Sequence, residues 1–252
     1  MVIQTPSKTL RAPRAIIFDT DNTLYAYDQP HAKASAATEA KAVHLLGADP
    51  ASVRSAFAQA RGEVKKQLGH TASSHSRLLY FQRGIEILGR KTQLLITLDL
   101  EQTYWRTFLS QCSLFPGVRE LLINLRNNDI STAIITDLTS QIQFRKIIYF
   151  GLDDCFDYVV TSEEAGADKP DPAPFKLAIE KLGVESDQIW MVGDSVSCDI
   201  EGARHFGMST LLRVDRATAA EQRAHGADIV FDDFRELDQF VFSGKVEGLG
   251  RR

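Results

Sequence analysis

Two aspartates, Asp19 and Asp21, stand two positions apart directly after the apolar run Ile16-Ile17-Phe18. The stretch from Arg14 to Phe18 has the β-branched and aromatic content of a strand buried on both faces. If the chain stays extended past Phe18, both carboxylates leave the same side. If it turns, a backbone carbonyl beside them faces the same point. Close carboxylates at the end of a buried strand repel each other, and their removal from water adds to the cost. A divalent cation offsets that cost. Oxygen ligands of this kind suit a hard ion, above all Mg²⁺. The competing reading is a plain Asp-rich turn, because Asp favours turns and helix caps.

Other stretches bear on that choice. Asp19-Thr20-Asp21-Asn22-Thr23-Leu24 resembles the DxDxT signature of the haloacid dehalogenase-like (HAD) hydrolase superfamily. Three later stretches are similar to that superfamily's other motifs, in the same order: Thr136 after Ala133-Ile134-Ile135, Lys169-Pro170, and Gly193-Asp194 with Asp199 beyond it. The motifs fall within residues 14–214. On them the chain is identified as a C1-capped, phosphatase-type member.

That resemblance implies a set of roles. Asp19 is the nucleophile whose attack on phosphorus gives an aspartyl-phosphate, splitting hydrolysis into two easier steps; it is also a Mg²⁺ ligand. Asp21 protonates the leaving oxygen and then activates water, and its backbone carbonyl is a metal ligand. Asp194 completes the Mg²⁺ shell. Thr136, with the next backbone N–H, binds phosphate oxygens, and Lys169 neutralises them together with Asp19. Thr23 holds the first turn, Gly193 allows a tight turn, and Asp199 is an outer metal ligand or orients Lys169, the second being favoured. The implied activity is Mg²⁺-dependent hydrolysis of a small phosphomonoester. A 2-haloacid dehalogenase and a phosphomutase are the alternatives on the same core. Position 21 is not acidic in dehalogenases, so Asp21 argues for phosphoryl transfer.

One position departs from the pattern: Asp137 follows Thr136, where Asn is common. A second carboxylate beside a phosphate is repulsive, so Asp137 is expected to cap the next helix by accepting the N–H of Thr139 or Ser140. Only its backbone N–H would then serve the substrate. For the non-phosphate part of the substrate, His70, His75, Arg77 and Arg83 surround the small, polar loop Gly69–Ser74, and Arg77 is the favoured contact.

The elements that must position these residues follow from periodicity. Residues 25–112 read as an all-helical block, with helices over Ala32–Leu46, from Asp49-Pro50 to Leu68, over His75–Leu88 and from Leu98 onward. From Phe115 the signal alternates. Strands are expected at Thr132–Thr136, Tyr158–Val160, Ile189–Val192, Thr210–Val214 and Ile229–Phe231. Helices are expected at Val118–Leu125, Ser140–Phe150, Pro172 to Gly183, and Ser197–Phe206. Such alternation implies an α/β fold, a Rossmann-like parallel sheet with helices on both faces. Residues 1–24 and 113–252 form its core, and 25–112 form a helical C1-type cap with hinges near Tyr25–Asp28 and Cys112–Pro116. Ligands of open α/β sheets bind beyond the carboxyl ends of the strands, where Asp19, Asp21, Thr136, Gly193 and Asp194 fall.

The 252 residues are 44% hydrophobic and 25% charged, ordinary for a globular protein. A net charge of −4 gives no electrostatic reason to expect nucleic acid or an anionic membrane. Three cysteines without a CxxC pair point to reduced thiols. Neither a signal peptide nor a membrane-spanning run is read, which makes the cytoplasm the expected location. The glycine-rich, basic stretch 245–252 is expected to fray. The oligomeric state and the substrate's identity are not legible.

Overall fold

The computed structural model describes residues 2–3, 10–215 and 226–242; the tail over 245–252 lies outside them. Seven strands form one sheet: β1 (Val2–Ile3), β2 (Ala15–Phe18), β3 (Ser131–Thr136), β4 (Tyr158–Thr161), β5 (Ile189–Gly193), β6 (Ser209–Arg213) and β7 (Ile229–Phe231). Their order is β1-β7-β6-β5-β2-β3-β4. The six strands β2 to β7 run parallel, and β1 pairs antiparallel with β7 at the edge. β2 lies inside the sheet, with Ile17 opposite Ala133 on one side and Met191 on the other. All four β2 residues are buried, as its unbroken apolar run requires of a strand covered on both faces.

The chain divides into two compact units, Met1–Ala26 with Ser113–Arg252, and Tyr27–Cys112. The second unit is helical: α1 (Asp28–Leu46), α2 (Pro50–Leu68), α3 (Arg77–Ile87) and α4 (Leu94–Ser110). α1 buries Ala34, Thr38, Ala42 and Leu46, and α2 buries Val53, Ala56, Ala60 and Val64. Both are single stripes at helical spacing. Asp49 caps α2 by accepting the Ser52 N–H at 2.9 Å, and Ser76 caps α3. At Gly84 a Cβ would run into the Phe57 ring, so α2 and α3 approach where α3 has no side chain. Helix α1 begins earlier than the alanine-rich run suggests. Helix α4 begins before Leu98, and its first turns leave Leu94 and Leu95 mostly exposed, outside the apolar stripe that marks the helix in the sequence.

The first unit adds α5 (Val118–Asn127), α6 (Ser140–Tyr149), α7 (Ser162–Ala165), α8 (Pro172–Leu182), α9 (Glu201–Arg204) and α10 (Phe234–Phe242). On one face of the sheet Ile17, Ala133, Ile135 and Met191 pack with Phe175 and Ala178 of α8 and Ala203 of α9. On the other, Trp190 meets Phe240 of α10. The chain leaves this unit after β2 and returns before α5 through a paired neck. Tyr25 bridges to Leu114, and the Phe115 N–H donates to the Leu24 carbonyl at 2.9 Å.

Candidate active site

The carboxyl ends of β2, β3 and β5 meet at one place because the strands are adjacent and parallel. Asp19 follows β2, and its N–H still donates to Val192 of β5 at 2.9 Å. Its carboxylate is buried; Oδ2 accepts from Thr23 Oγ1 at 2.8 Å and Oδ1 from Lys169 Nζ at 2.6 Å. Lys169 Nζ also donates to Asp199 Oδ1 at 2.6 Å and to the Ile135 carbonyl at 3.2 Å, so all three ammonium hydrogens have acceptors. Asp199 Oδ2 in turn accepts the Ser195 N–H at 3.0 Å. At Gly193 a Cβ would collide with the Asp199 side chain. The glycine is therefore needed for the close approach of Asp199.

Asp19, Asp194 and Asp199 can each offer an oxygen within 4.8 Å of the others. Burial raises Asp19 well above the ordinary carboxylate range; Lys169 opposes the rise, and Asp199 and Asp194 add to it. Burial would pull Lys169 down, but Asp19 and Asp199, with Asp137 beyond, hold it well above the usual lysine range. The ammonium is therefore fixed as a cation. Asp194 is pushed up to about 7, first by burial and then by Asp199. A carboxylate strained in this way, among other oxygen donors, is what a hard divalent cation would relieve. Lys169 already serves Asp19 and Asp199, so Asp194 is the member most in need of one.

The Asp21 carboxylate stands elsewhere. It accepts from Lys146 Nζ at 2.8 and 3.1 Å and from the Tyr25 hydroxyl. The third carboxylate of the cluster is that of Asp199, and Lys146 holds Asp21. The loop between them is shaped by Asn22, whose φ is 60°, and by Arg213, which donates to the Asn22 carbonyl at 3.0 Å. Thr136 ends β3 with its hydroxyl 2.7 Å from that of Thr20, and it accepts from Gln143 Nε2 at 2.8 Å. Asp137 does not cap α6. The residue before that helix is Thr139, without a side-chain cap, and the Ser140 N–H is taken by Glu163 Oε2 at 2.9 Å. Asp137 Oδ1 accepts instead from Ser162 Oγ and from the Lys169 N–H, both at 3.0 Å. Leu138, with φ at 105°, carries the chain away from that anchor.

A family model described as haloacid dehalogenase-like hydrolase matches residues 13–207. The chain belongs to the haloacid dehalogenase-like hydrolases. It is 36% identical over 226 residues to the ribulose-1,5-bisphosphate 5-phosphatase of Halopiger xanaduensis, covering 85% of this chain and 95% of that one. It is 29% identical over 232 residues to the glyceraldehyde 3-phosphate phosphatase of Methanothermobacter thermautotrophicus, covering 90% and 99%. Among solved structures, a HAD phosphatase from Thermococcus onnurineus matches with a TM-score of 0.67 at 25% identity, over 90% of this chain and 97% of that one. A 2-haloacid dehalogenase from Pseudomonas syringae matches with a TM-score of 0.73 at 22% identity, over 92% and 98%, which shows the shared fold. This HAD-like chain is an enzyme of the phosphatase type.

Within this HAD-like core the structure gathers Asp19, Thr23, Lys169, Gly193, Asp194 and Asp199, with Thr136 one strand away and Asp21 on Lys146. Sequence reading missed Thr20, Tyr25, Gln143 and Lys146. Gln143 and Lys146 carried a signal: they stand beside Ile142 and Ile147 in the stripe that α6 buries, and polar residues in such a stripe need partners. Arg77 belongs to the helical unit. Its guanidinium donates to the His75 carbonyl at 3.0 Å and to Tyr27 Oη at 2.5 Å, and lies 5.0 Å from the Tyr104 ring centre. It lines a cavity of about 170 Å³ with His31, Glu39, Arg61 and Tyr104, and its buried Nε has no hydrogen-bond acceptor. No helix among the described residues is long and apolar enough to cross a membrane.

Proposed function

We propose that this enzyme hydrolyses a small phosphomonoester, of the sugar-phosphate kind that its relatives' names suggest, through an aspartyl-phosphate on Asp19. The observation that carries the reading is Lys169, whose Nζ touches both Asp19 and Asp199 at 2.6 Å. That contact opposes the burial that favours the protonated acid and aims a nucleophilic carboxylate beside a fixed cation.

In the first half of the reaction an Asp19 oxygen bonds to phosphorus as the bond to the leaving oxygen breaks, and Asp21 gives that oxygen its proton. In the second half Asp21, now a carboxylate, takes a proton from water as the water oxygen bonds to phosphorus and the Asp19–phosphorus bond breaks. Inorganic phosphate leaves, and Asp21 is protonated again. Thr136 and the Asp137 N–H hold phosphoryl oxygens, while the Asp137 carboxylate stays on Ser162 and Lys169. Asp19, Asp194 and the Asp21 carbonyl would hold Mg²⁺, which when bound neutralises the carboxylates and the phosphoryl oxygens. Arg77 is assigned to the non-phosphate part of the substrate, on the ground of the charged cavity it lines. The acidic residue at position 21 favours this chemistry over dehalogenation.

The test is a panel of phosphomonoesters, ribulose 1,5-bisphosphate and glyceraldehyde 3-phosphate among them, with Mg²⁺ and with EDTA. Turnover of at least one is expected with Mg²⁺, none with EDTA, and none for Asp19→Asn. Rapid quenching should trap phosphate on Asp19. Label on a serine or histidine, or undiminished turnover in EDTA, would end this reading.

A further inference from the structure

Lysine is among the residues least often buried, and a buried ammonium needs a partner. Lys146 lies on the buried side of α6 with 2% of its surface exposed. Its Nζ is 2.8 Å from Asp21 Oδ1 and 3.1 Å from Oδ2, and 5.8 Å from the centre of the Tyr25 ring. The Tyr25 hydroxyl donates to the same Oδ1. Tyr25 is itself fixed: it is 1% exposed, its ring packs on Phe150 at 4.8 Å, and its backbone bridges to Leu114.

Both donors thus come from buried side chains of the core, and both converge on one carboxylate whose own side chain is 35% exposed. Without them that carboxylate would be repelled by Asp194 and free to rotate into solvent. Oδ1 takes the Tyr25 bond and the shorter Lys146 bond. Oδ2, with the longer one, is the oxygen left to exchange a proton with the substrate or water.

We propose that Lys146, assisted by Tyr25, is a positioning residue for Asp21, fixing where the acid–base carboxylate stands. The inference rests on the proton-transfer role given to Asp21 above. The plain alternative is that Lys146 only anchors α6 to the loop after β2. The two differ in what else depends on Asp21.

The test compares Lys146→Met, Asp21→Asn and the double variant of the full chain in Mg²⁺, each checked for an unchanged unfolding temperature. Two probes are used: p-nitrophenyl phosphate, whose leaving group departs without a proton, and an alkyl phosphomonoester turned over by the wild type. A misplaced catalytic group costs on the order of a hundredfold. Lys146→Met is therefore expected to lower the single-turnover rate of phosphoryl transfer from the alkyl ester to Asp19 roughly 10- to 100-fold, with KM within about threefold, and to spare that first step with p-nitrophenyl phosphate, while the later attack of water slows alike for both. In the Asp21→Asn background it should cost less than about twofold more, since both changes act on one group. If Lys146→Met unfolds the chain, Tyr25→Phe replaces it, keeping the ring and losing the hydroxyl, with the same pattern at smaller size. Equal losses in that first step on both probes, or the full loss repeated in the Asp21→Asn background, overturn the proposal and leave the phosphatase reading standing. An Asp21→Asn enzyme with unchanged kcat on the alkyl ester overturns both.

Discussion

Replacing Asp194 by asparagine should make the metal-free protein more stable while removing its response to Mg²⁺. Asp194 is pushed up to about 7 in the folded chain, by burial and then by Asp199, against about 3.9 for an unfolded aspartate. The native state therefore binds this proton more tightly than the unfolded state does, and stability falls as pH rises. Below about pH 4 both states are protonated and there is no penalty. Through the interval up to about 7 only the unfolded state ionises, and the loss grows by about 1.4 kcal/mol per pH unit. Above that it levels off at about 4 kcal/mol.

Asp194→Asn abolishes this titration, so in EDTA the variant should exceed the wild type by up to about 4 kcal/mol at pH 8 and by less than about 1 kcal/mol at pH 4. Urea unfolding across that range, at constant ionic strength, measures the difference. Saturating Mg²⁺ should then narrow the difference at pH 8. A ligand at a hundred times its Kd adds about 2.7 kcal/mol to a protein that binds it, and the variant has lost a ligand. Parallel pH profiles for the two proteins, or equal stabilisation of both by Mg²⁺, would refute the argument that Asp194 is a desolvated carboxylate awaiting a cation.

Two further outcomes are expected. Asp137→Asn keeps an oxygen acceptor for Ser162 and the Lys169 N–H, so KM should move less than about threefold, whereas Asp137→Ala leaves those donors unpaired and should cost about 1–3 kcal/mol in urea unfolding; a hundredfold tightening of phosphate by Asp137→Asn would place the carboxylate at the phosphate after all. Gly84→Ala should destabilise by about 1 kcal/mol, because overpacking against Phe57 outweighs the gain of about 1 kcal/mol in helix propensity, and it should become stabilising in a Phe57→Leu background; a gain in both backgrounds would show that the ring simply moves aside.

The sheet was legible because its signal is local. A short, β-branched and aromatic apolar run such as Ile16-Ile17-Phe18, stopped at once by Asp19, favours a strand covered on both faces, and Asp19, Lys169, Asp194 and Asp199 lie where parallel strands or the loops beside them end. What escaped was set by contacts distant in sequence. Lys146 is 125 residues from Asp21, and no spacing rule connects them. Asp137 has the composition of a cap but faces Ser162 and Lys169, while Glu163 supplies the α6 N–H acceptor from another element. The expected helix over Ser197–Phe206 is instead a π-helical turn, Val196–Ile200, followed by α9. The turn carries Asp199, whose carboxylate is held by Lys169 and Ser195.

The neck between Leu24 and Phe115 has a consequence in polymer terms. Because the Phe115 N–H meets the Leu24 carbonyl, everything between them is, to the sheet, a closed loop. The entropy of closing a loop rises only logarithmically with its length, about 0.6 kcal/mol for each doubling. Strands β2 and β3 therefore pair at nearly the same cost whether the chain between them is long or half as long. A helical block on such a neck can be lengthened, shortened or exchanged while the carboxylates at the end of β2 keep their places.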